Sequence, residues 1–270
     1  MIAEPTREEV RRFGGGALPG AIARRNVATG PPAWVPPAVA NLQLWMNAQV
    51  AASMHHAIGG DVDTWKDQSA NGFVATTLLG PGLGATYSAA GGPLGKAKLD
   101  MLPSGSQFGV PNNALLNGST FTVFFAGLLH AGNVYAYNGA IAKTNEGAGT
   151  LGWALGNRAS TSNFQLWVNN DSSGGLSTQF FPTTEVYFSC AARFDGATIS
   201  IWQGQTKLAD VAYATPLVNT AGQLGISANS DTGAHTYFRG VFLETAYYNT
   251  ALSDANVMLW LNRFNTDYGI

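Results

Sequence analysis

The sequence predicts an all-β protein: an antiparallel sandwich that ends in one helix and is preceded by an extended arm. Three observations predict it. From residue 40 onward the apolar residues recur with period two rather than 3.6. The segments so patterned are separated by turn signals such as Asn-Gly, Gly-Asn, Asp-Gly and Gly-Gln. The composition agrees, with 33 glycines, 11% aromatic residues and 11% charged residues. The charged share is well below the usual value of about a quarter, and such a balance suits strands and tight turns better than helices.

Residues 1–37 read as an arm. They hold Pro5, Pro19, Pro31, Pro32, Pro36 and Pro37 and the run Gly14-Gly15-Gly16. Five arginines against three glutamates give the arm a charge of +2, and the rest of the chain carries −4. PTREEVRRF can form two helical turns with its acids early and its arginines late, as the helix dipole favours. Beyond it, prolines and glycines prevent a regular element. A stretch of this composition cannot bury enough apolar surface to fold alone. It is either a floppy tail or an anchor laid across another subunit, and its reach, roughly 120 Å at ~3.3 Å per extended residue, favours the anchor. In that reading Arg7, Arg11, Arg12, Arg24 and Arg25 offer planar donors to carboxylates, and Phe13, Leu18, Ile22 and Trp34 are apolar anchors.

Residues 38–270 read as one domain. Strands are expected at LQLWM (42–46), TFTVFFAGLL (120–129), GWALGN (152–157), FQLWVN (164–169), EVYFSCAARF (185–194), TISIWQ (198–203) and YFRGVFLETAYY (237–248). Asp195-Gly196 makes a two-residue hairpin turn. Cys190 is the single cysteine, so no internal disulfide framework exists, and its apolar setting marks a buried, inert thiol. In the last segment Ser253 is placed as N-cap, Val257, Trp260, Leu261 and Phe264 form one helical stripe, and Gly269 stops the helix.

DVDTWKDQSANG, residues 61–72, has the look of a site. On a regular strand Asp61, Asp63 and Trp65 would share one side, which puts two carboxylates within reach of one substrate. Acid-rich strands beside an Asn-Gly turn are also ordinary solvated edges, and the hairpin reading is preferred over calcium or catalysis.

Three segments in order, LQLWMNAQ, DVDTWKDQSANGFVAT and FRGVFLETAYYNTALSDANVMLWLNRFNTDYGI, resemble the laminin-G-like, concanavalin A-like lectin/glucanase superfamily, of the type found in bacteriophage virion proteins. The resemblance spans about residues 40–270 and implies two curved antiparallel sheets in a jelly roll. It implies that Trp65 lies in the core, that Asn71-Gly72 forms the turn, and that Glu244 is structural. Where relatives carry a capping-box glutamate after Ser-Asp-Ala, this chain has Asn256, so a weaker cap and a fraying helix are expected. The fold hosts lectins, hydrolases, lyases and structural modules alike.

Enzymatic readings find little support. The Glu-x-Asp-x-Glu arrangements of the superfamily's hydrolases are missing, since Glu146, Glu185 and Glu244 have no acidic neighbour two to five residues away. The lyase spacing Gln-x-His is absent, and Arg158 and Arg193 stand isolated. His55-His56, His130 and His235 give no metal spacing, and no Gly-x-Ser-x-Gly elbow occurs. No cofactor or metal is expected. Sugar binding is harder to dismiss, because it needs an aromatic face and planar polar groups. Trp153, Asn157, Arg158, Trp167 and Asn169 supply both within two adjacent strands, although both tryptophans also suit a hairpin core.

A net charge of −2 leaves no nucleic-acid footprint. No run approaches the ~18 apolar residues of a membrane span, and MIAEPTREEVRRF is too charged for a signal peptide. The preferred expectation is therefore a non-enzymatic virion structural protein assembled in the host cytoplasm. A capsid decoration or cement protein fits best, then a head-fibre, tail or adaptor component. Its partners would be capsid or other virion proteins held through the arm, in a homo-oligomer or on a lattice. The alternative is a glycan-binding adhesion or receptor-binding module, and a polysaccharide hydrolase or lyase ranks last.

Overall fold

The computed structural model describes residues 34–56, 61–78, 84–101, 106–131, 138–145, 150–157, 163–169, 179–228 and 238–270. The chain divides into two units, Met1–Trp34 and Val35–Ile270. Of the arm residues singled out above, Trp34 is half-buried. Arg7, Arg11, Arg12, Phe13, Leu18, Ile22, Arg24 and Arg25 lie outside the described residues.

In chain order the second unit contains β1 (Leu42–Asn47), β2 (Met54–His56), β3 (Asp61–Lys66), β4 (Val74–Thr77), β5 (Ala85–Ser88) and β6 (Lys98–Asp100). Next come β7 (Phe108–Val110), β8 (Phe121–Leu129), β9 (Asn138–Asn145), β10 (Thr150–Asn157), β11 (Phe164–Val168) and β12 (Gln179–Phe180). They are followed by β13 (Tyr187–Phe194), β14 (Thr198–Gln203), β15 (Thr206–Ala212), β16 (Leu224–Ile226), β17 (Gly240–Tyr248) and the helix α1 (Asp254–Tyr268). The described pairings are antiparallel. One layer runs β15-β14-β13-β8-β17-β1. The other runs β12-β11-β10-β9-β16-β7-β4-β3-β2. β6 pairs with the start of β17, and β5 pairs with both β6 and β3, so hydrogen bonding continues from one layer to the other along one side. The result is the β-sandwich that the sequence pattern predicts.

β8 shows why its sequence is apolar without interruption. All nine residues of FTVFFAGLL are buried. Phe121, Val123, Phe125 and Leu129 face the sandwich interior, while Phe124 lies under α1, its ring stacked on Trp260 at 5.1 Å. A strand covered on both faces loses the alternation that a half-solvated strand keeps. In the interior Trp153 stacks on Phe121 at 4.6 Å and on Tyr247 at 5.4 Å, and those two rings are 6.3 Å apart.

α1 begins where expected, with the Ser253 hydroxyl accepting the Asn256 backbone N–H at 3.3 Å, and ends at Gly269 with φ 71°. The helix runs for 15 residues with Asn256 where a capping-box glutamate would stand. Asp254 in its first turn pairs with Arg193 at 2.6 Å and Lys207 at 3.2 Å, which anchors the N-terminus in place of a capping-box glutamate. Arg193 is therefore not isolated. It also donates to the Leu252 carbonyl and lies over the Trp202 ring.

The stretch at 61–72 forms the β3–β4 hairpin. Trp65 is fully buried and Gly72 takes φ 64°. Asp67 closes the hairpin by accepting N–H bonds from Trp45 at 2.7 Å and Ser69 at 2.8 Å. Trp65 does not continue the Asp61/Asp63 row. His55 pairs with Thr64 and His56 with Val62, so Asp63 is the extra residue of a β-bulge. The bulge turns Trp65 into the core beside Val62 and brings Asp63 to 2.8 Å from His55 Nδ1.

Candidate functional site

The sugar-binding set predicted from sequence is split by the β10–β11 register. Trp153 lies opposite Val168 and Trp167 lies opposite Ala154. Directly opposed residues share a face, so the two tryptophans point to opposite sides of the sheet. Trp153 and Asn157 fall on the interior side, Asn157 fully buried with no hydrogen-bond partner for its carboxamide. Trp167 packs with Ala142 and Ala154 on the other side. Asn169 takes φ 55° and spends its amide on Pro216 and Val218 in a neighbouring segment. Arg158 lies outside the described residues. The four described residues of the set do not make one surface.

A different constellation forms where β6, β8 and β17 meet the approach to β13. Cross-strand pairing sets Tyr187, Leu128, Val241, Asp100 and Thr86 in one row on one face. Beside this row His130, just past β8, projects between two carboxylates. Its Nε2 is 3.0 Å from Asp100 Oδ1 and its Nδ1 is 3.0 Å from Glu185 Oε2. Lys98 Nζ reaches Asp100 Oδ2 at 3.1 Å. The Ala131 N–H donates to Glu185 Oε1 at 2.7 Å, and the Glu185 N–H donates to the Leu129 carbonyl at 2.9 Å. Lys98, Asp100 and His130 are about one quarter exposed and Glu185 about half exposed. Tyr187 is half-buried, and the adjoining loop exposes Phe181 and Val186.

The electrostatics follow from these contacts. The hydrogen bond to Asp100 raises the His130 pKa above its ordinary 6.5 against the opposing effect of burial, and the hydrogen bond to Glu185 adds to the rise. Burial would raise the Asp100 carboxyl, yet His130 and Lys98 together hold it below its ordinary value. The Ala131 N–H and then His130 lower Glu185. Below the raised His130 value and above the lowered carboxyl values, the cluster holds two ionised acids around an imidazolium. By contrast, burial raises Asp67 and Glu244, and both are buried inside hydrogen-bond networks. Burial also pushes the Cys190 thiol well up. Among the described residues no group of three or more His, Cys, Asp or Glu is placed to hold a metal ion, and no helix is long and apolar enough to cross a membrane.

No protein-family model and no curated protein matches the sequence. Solved structures do match its fold. The binding domain of paraclostridial mosquitocidal protein 1 aligns at 12% identity with a TM-score of 0.58, covering 84% of this chain and 53% of that one. Domain 4 of AbnA, a GH43 extracellular arabinanase from Geobacillus stearothermophilus, solved in complex with arabinotriose, aligns at 12% identity with a TM-score of 0.57. That match covers 81% of this chain and 97% of the arabinanase domain. The Trypanosoma rangeli sialidase in complex with sialic acid aligns at 14% identity with a TM-score of 0.53, over 83% of this chain and 33% of the sialidase. The chain thus spans about half of the mosquitocidal binding domain and a third of the sialidase. At these identities the likeness establishes a shared β-sandwich fold.

Proposed function

We propose that residues 35–270 form a non-catalytic carbohydrate-binding module whose ligand sits at Lys98, Asp100, His130 and Glu185 beside Tyr187. The observation that carries this reading is the cluster itself, in which ionised acids, an ammonium and a tyrosine ring meet at a partly exposed surface. Carboxylates accept from sugar hydroxyls, Lys98 has donors beyond the one given to Asp100, and a ring edge or face packs against pyranose C–H groups. The fold likeness to an arabinanase domain solved with arabinotriose supports the ligand class. Binding is favoured over hydrolysis because a general acid needs a raised pKa. Among the described residues the acids with raised values, Asp67 and Glu244, are buried, and the two acids of the cluster, Asp100 and Glu185, are held below their ordinary values.

Calorimetry against a panel that includes arabinan oligosaccharides and sialylated glycans tests this. A hydrogen bond to a charged group contributes about 1.5–3 kcal/mol. Lys98→Ala and Tyr187→Ala should each weaken the ligand bound by wild type about tenfold or more, with little change in melting temperature. Unchanged affinity in both variants places the ligand elsewhere, and product release from any panel member overturns the non-catalytic reading.

A second reading, a virion structural component anchored by residues 1–37, rests on the arm's Arg, Pro and Gly content. It expects that deleting residues 1–37 abolishes co-sedimentation with the host particle, while Asp61→Asn and Asp63→Asn leave it intact. An armless chain that still co-sediments removes this reading.

A further inference from the structure

We propose that Glu185, His130 and Asp100 form a pH-operated latch on the 181–186 loop, closed while the imidazole carries two protons and open once it loses one, and that the latch regulates glycan binding beside it. The coupling to glycan rests on the function proposed above, whereas the latch itself does not.

Both ring nitrogens of His130 face a carboxylate oxygen at 3.0 Å. A carboxylate can only accept, so both nitrogens must donate, and only the imidazolium has two N–H groups. Loss of one proton turns a donor into a lone pair aimed at an anion, and one contact has to break. Asp100 is the partner that stays, since it sits in β6 between β5 and β17 and retains Lys98. Glu185 lies on a loop and is about half exposed; among the described residues its carboxylate is then left with the Ala131 N–H alone, beside the backbone bond from its own N–H to the Leu129 carbonyl. It also has φ 61°, a left-handed conformation that a non-glycine residue holds only under constraint. Release lets that backbone relax and frees the loop that displays Phe181 and Val186.

Among the described residues the charged and titratable groups around His130 are few. β6 presents Lys98 and Asp100, and the approach to β13 presents Glu185 and Tyr187. The segment before β17 contributes Arg239, whose carbonyl accepts the His130 backbone N–H at 3.0 Å. Burial raises the Tyr187 phenol further, so it stays neutral while His130 titrates. The folded His130 value lies above 6.5 and those of Asp100 and Glu185 lie below 3.8 and 4.5. The imidazolium's contribution is complete below pH 6.5 and is lost as pH rises through the folded value. The carboxylates' contribution is lost only as pH falls through their own lowered values. The latch is therefore closed in mildly acidic solution and opens toward alkaline pH.

Amide hydrogen exchange of the full chain by NMR, corrected for the intrinsic base-catalysed rate, tests the latch at Ala131. Between about pH 6 and about pH 9, the protection factor of the Ala131 N–H should fall at least tenfold, while that of Ala126 within β8 holds. Glu185→Gln should abolish the pH dependence, because its amide can donate to a neutral imidazole and still accept from Ala131. Constant Ala131 protection in wild type, or an undiminished pH response in Glu185→Gln, overturns the latch. Glycan affinity measured on the same samples should fall with the protection. If the latch opens and an affinity that wild type shows does not change, the latch stands and the placing of the glycan fails.

Discussion

Arg263→Met should cost the folded chain about 3–5 kcal/mol, the range for removing one partner of a buried ion pair. Glu244 is fully buried between β17 and α1, where its carboxylate meets Arg263 at 2.5 and 2.9 Å, the Tyr268 hydroxyl at 2.8 Å and the Trp45 indole N–H. Burial raises its pKa, and the Arg263 charge is the main influence opposing that rise. Without Arg263 the acid stays folded only by taking up a proton. A folded pKa raised further above the ordinary 4.5 means that the folded state binds more protons, so stability falls as pH rises. The deficit of Arg263→Met should therefore be smaller at about pH 5 than at about pH 8. Urea denaturation at both values measures it. Arg263→Met combined with Glu244→Leu should recover most of the loss, because two apolar groups need no charge compensation. A double variant no more stable than the single one would mean that the helix docks through Trp260 and Phe264 packing rather than through charge balance.

The same helix shows what could be read in advance. Its cap, stripe and stop follow from local chemistry, and Ser253, Val257, Trp260, Leu261, Phe264 and Gly269 fall as expected. Long strands such as β8, β13 and β17 are equally readable, because mostly apolar segments of eight or nine residues outlast the ambiguity of short ones. β5, β6 and β7 have only three or four residues each, too few to display a period. The two tryptophans of the sugar-binding set are parted for a reason of register. Trp153 and Trp167 lie in one hairpin, but which face each takes depends on which residues pair across it, and a one-residue slip reverses the answer. The cluster around His130 carried almost no local signal. Its partners stand 30 and 55 positions away, and their meeting depends on β13 pairing directly with β8 and on β17 setting β6 beside β8. The usable hint was modest: His130 and Glu185 are polar residues placed just outside two of the most apolar strands.

Gly127→Ala should be the most damaging single-methyl change in the sandwich, at about 3 kcal/mol or more. Glycines in a strand pattern read as weak points or bulges, yet Gly127 is a packing surface. A Cβ there would stand 2.0 Å from the Val241 carbonyl oxygen and 2.5 Å from the Phe125 ring. Gly240, across the same pair of strands, would place one 2.1 Å from the Leu128 carbonyl and 2.5 Å from the Phe238 ring. These two rings belong to one cluster, with Phe125 5.5 Å from Phe238 and 5.1 Å from Phe242, and Phe238 5.6 Å from Phe242. An added methyl at position 127 must therefore displace backbone in the β8–β17 pair or lift Phe125 out of the cluster, and close-packed interiors resist both. Gly204→Ala is the control. That glycine has φ 51°, and a methyl added there would meet nothing within 4 Å, so the substitution carries only the left-handed strain of about 1 kcal/mol. Urea midpoints of the two variants compare a steric cost with a conformational one. Equal losses would show that the Phe125 cluster repacks freely around a methyl, and the glycine floor beneath it would then have no part in setting how closely β8 and β17 approach.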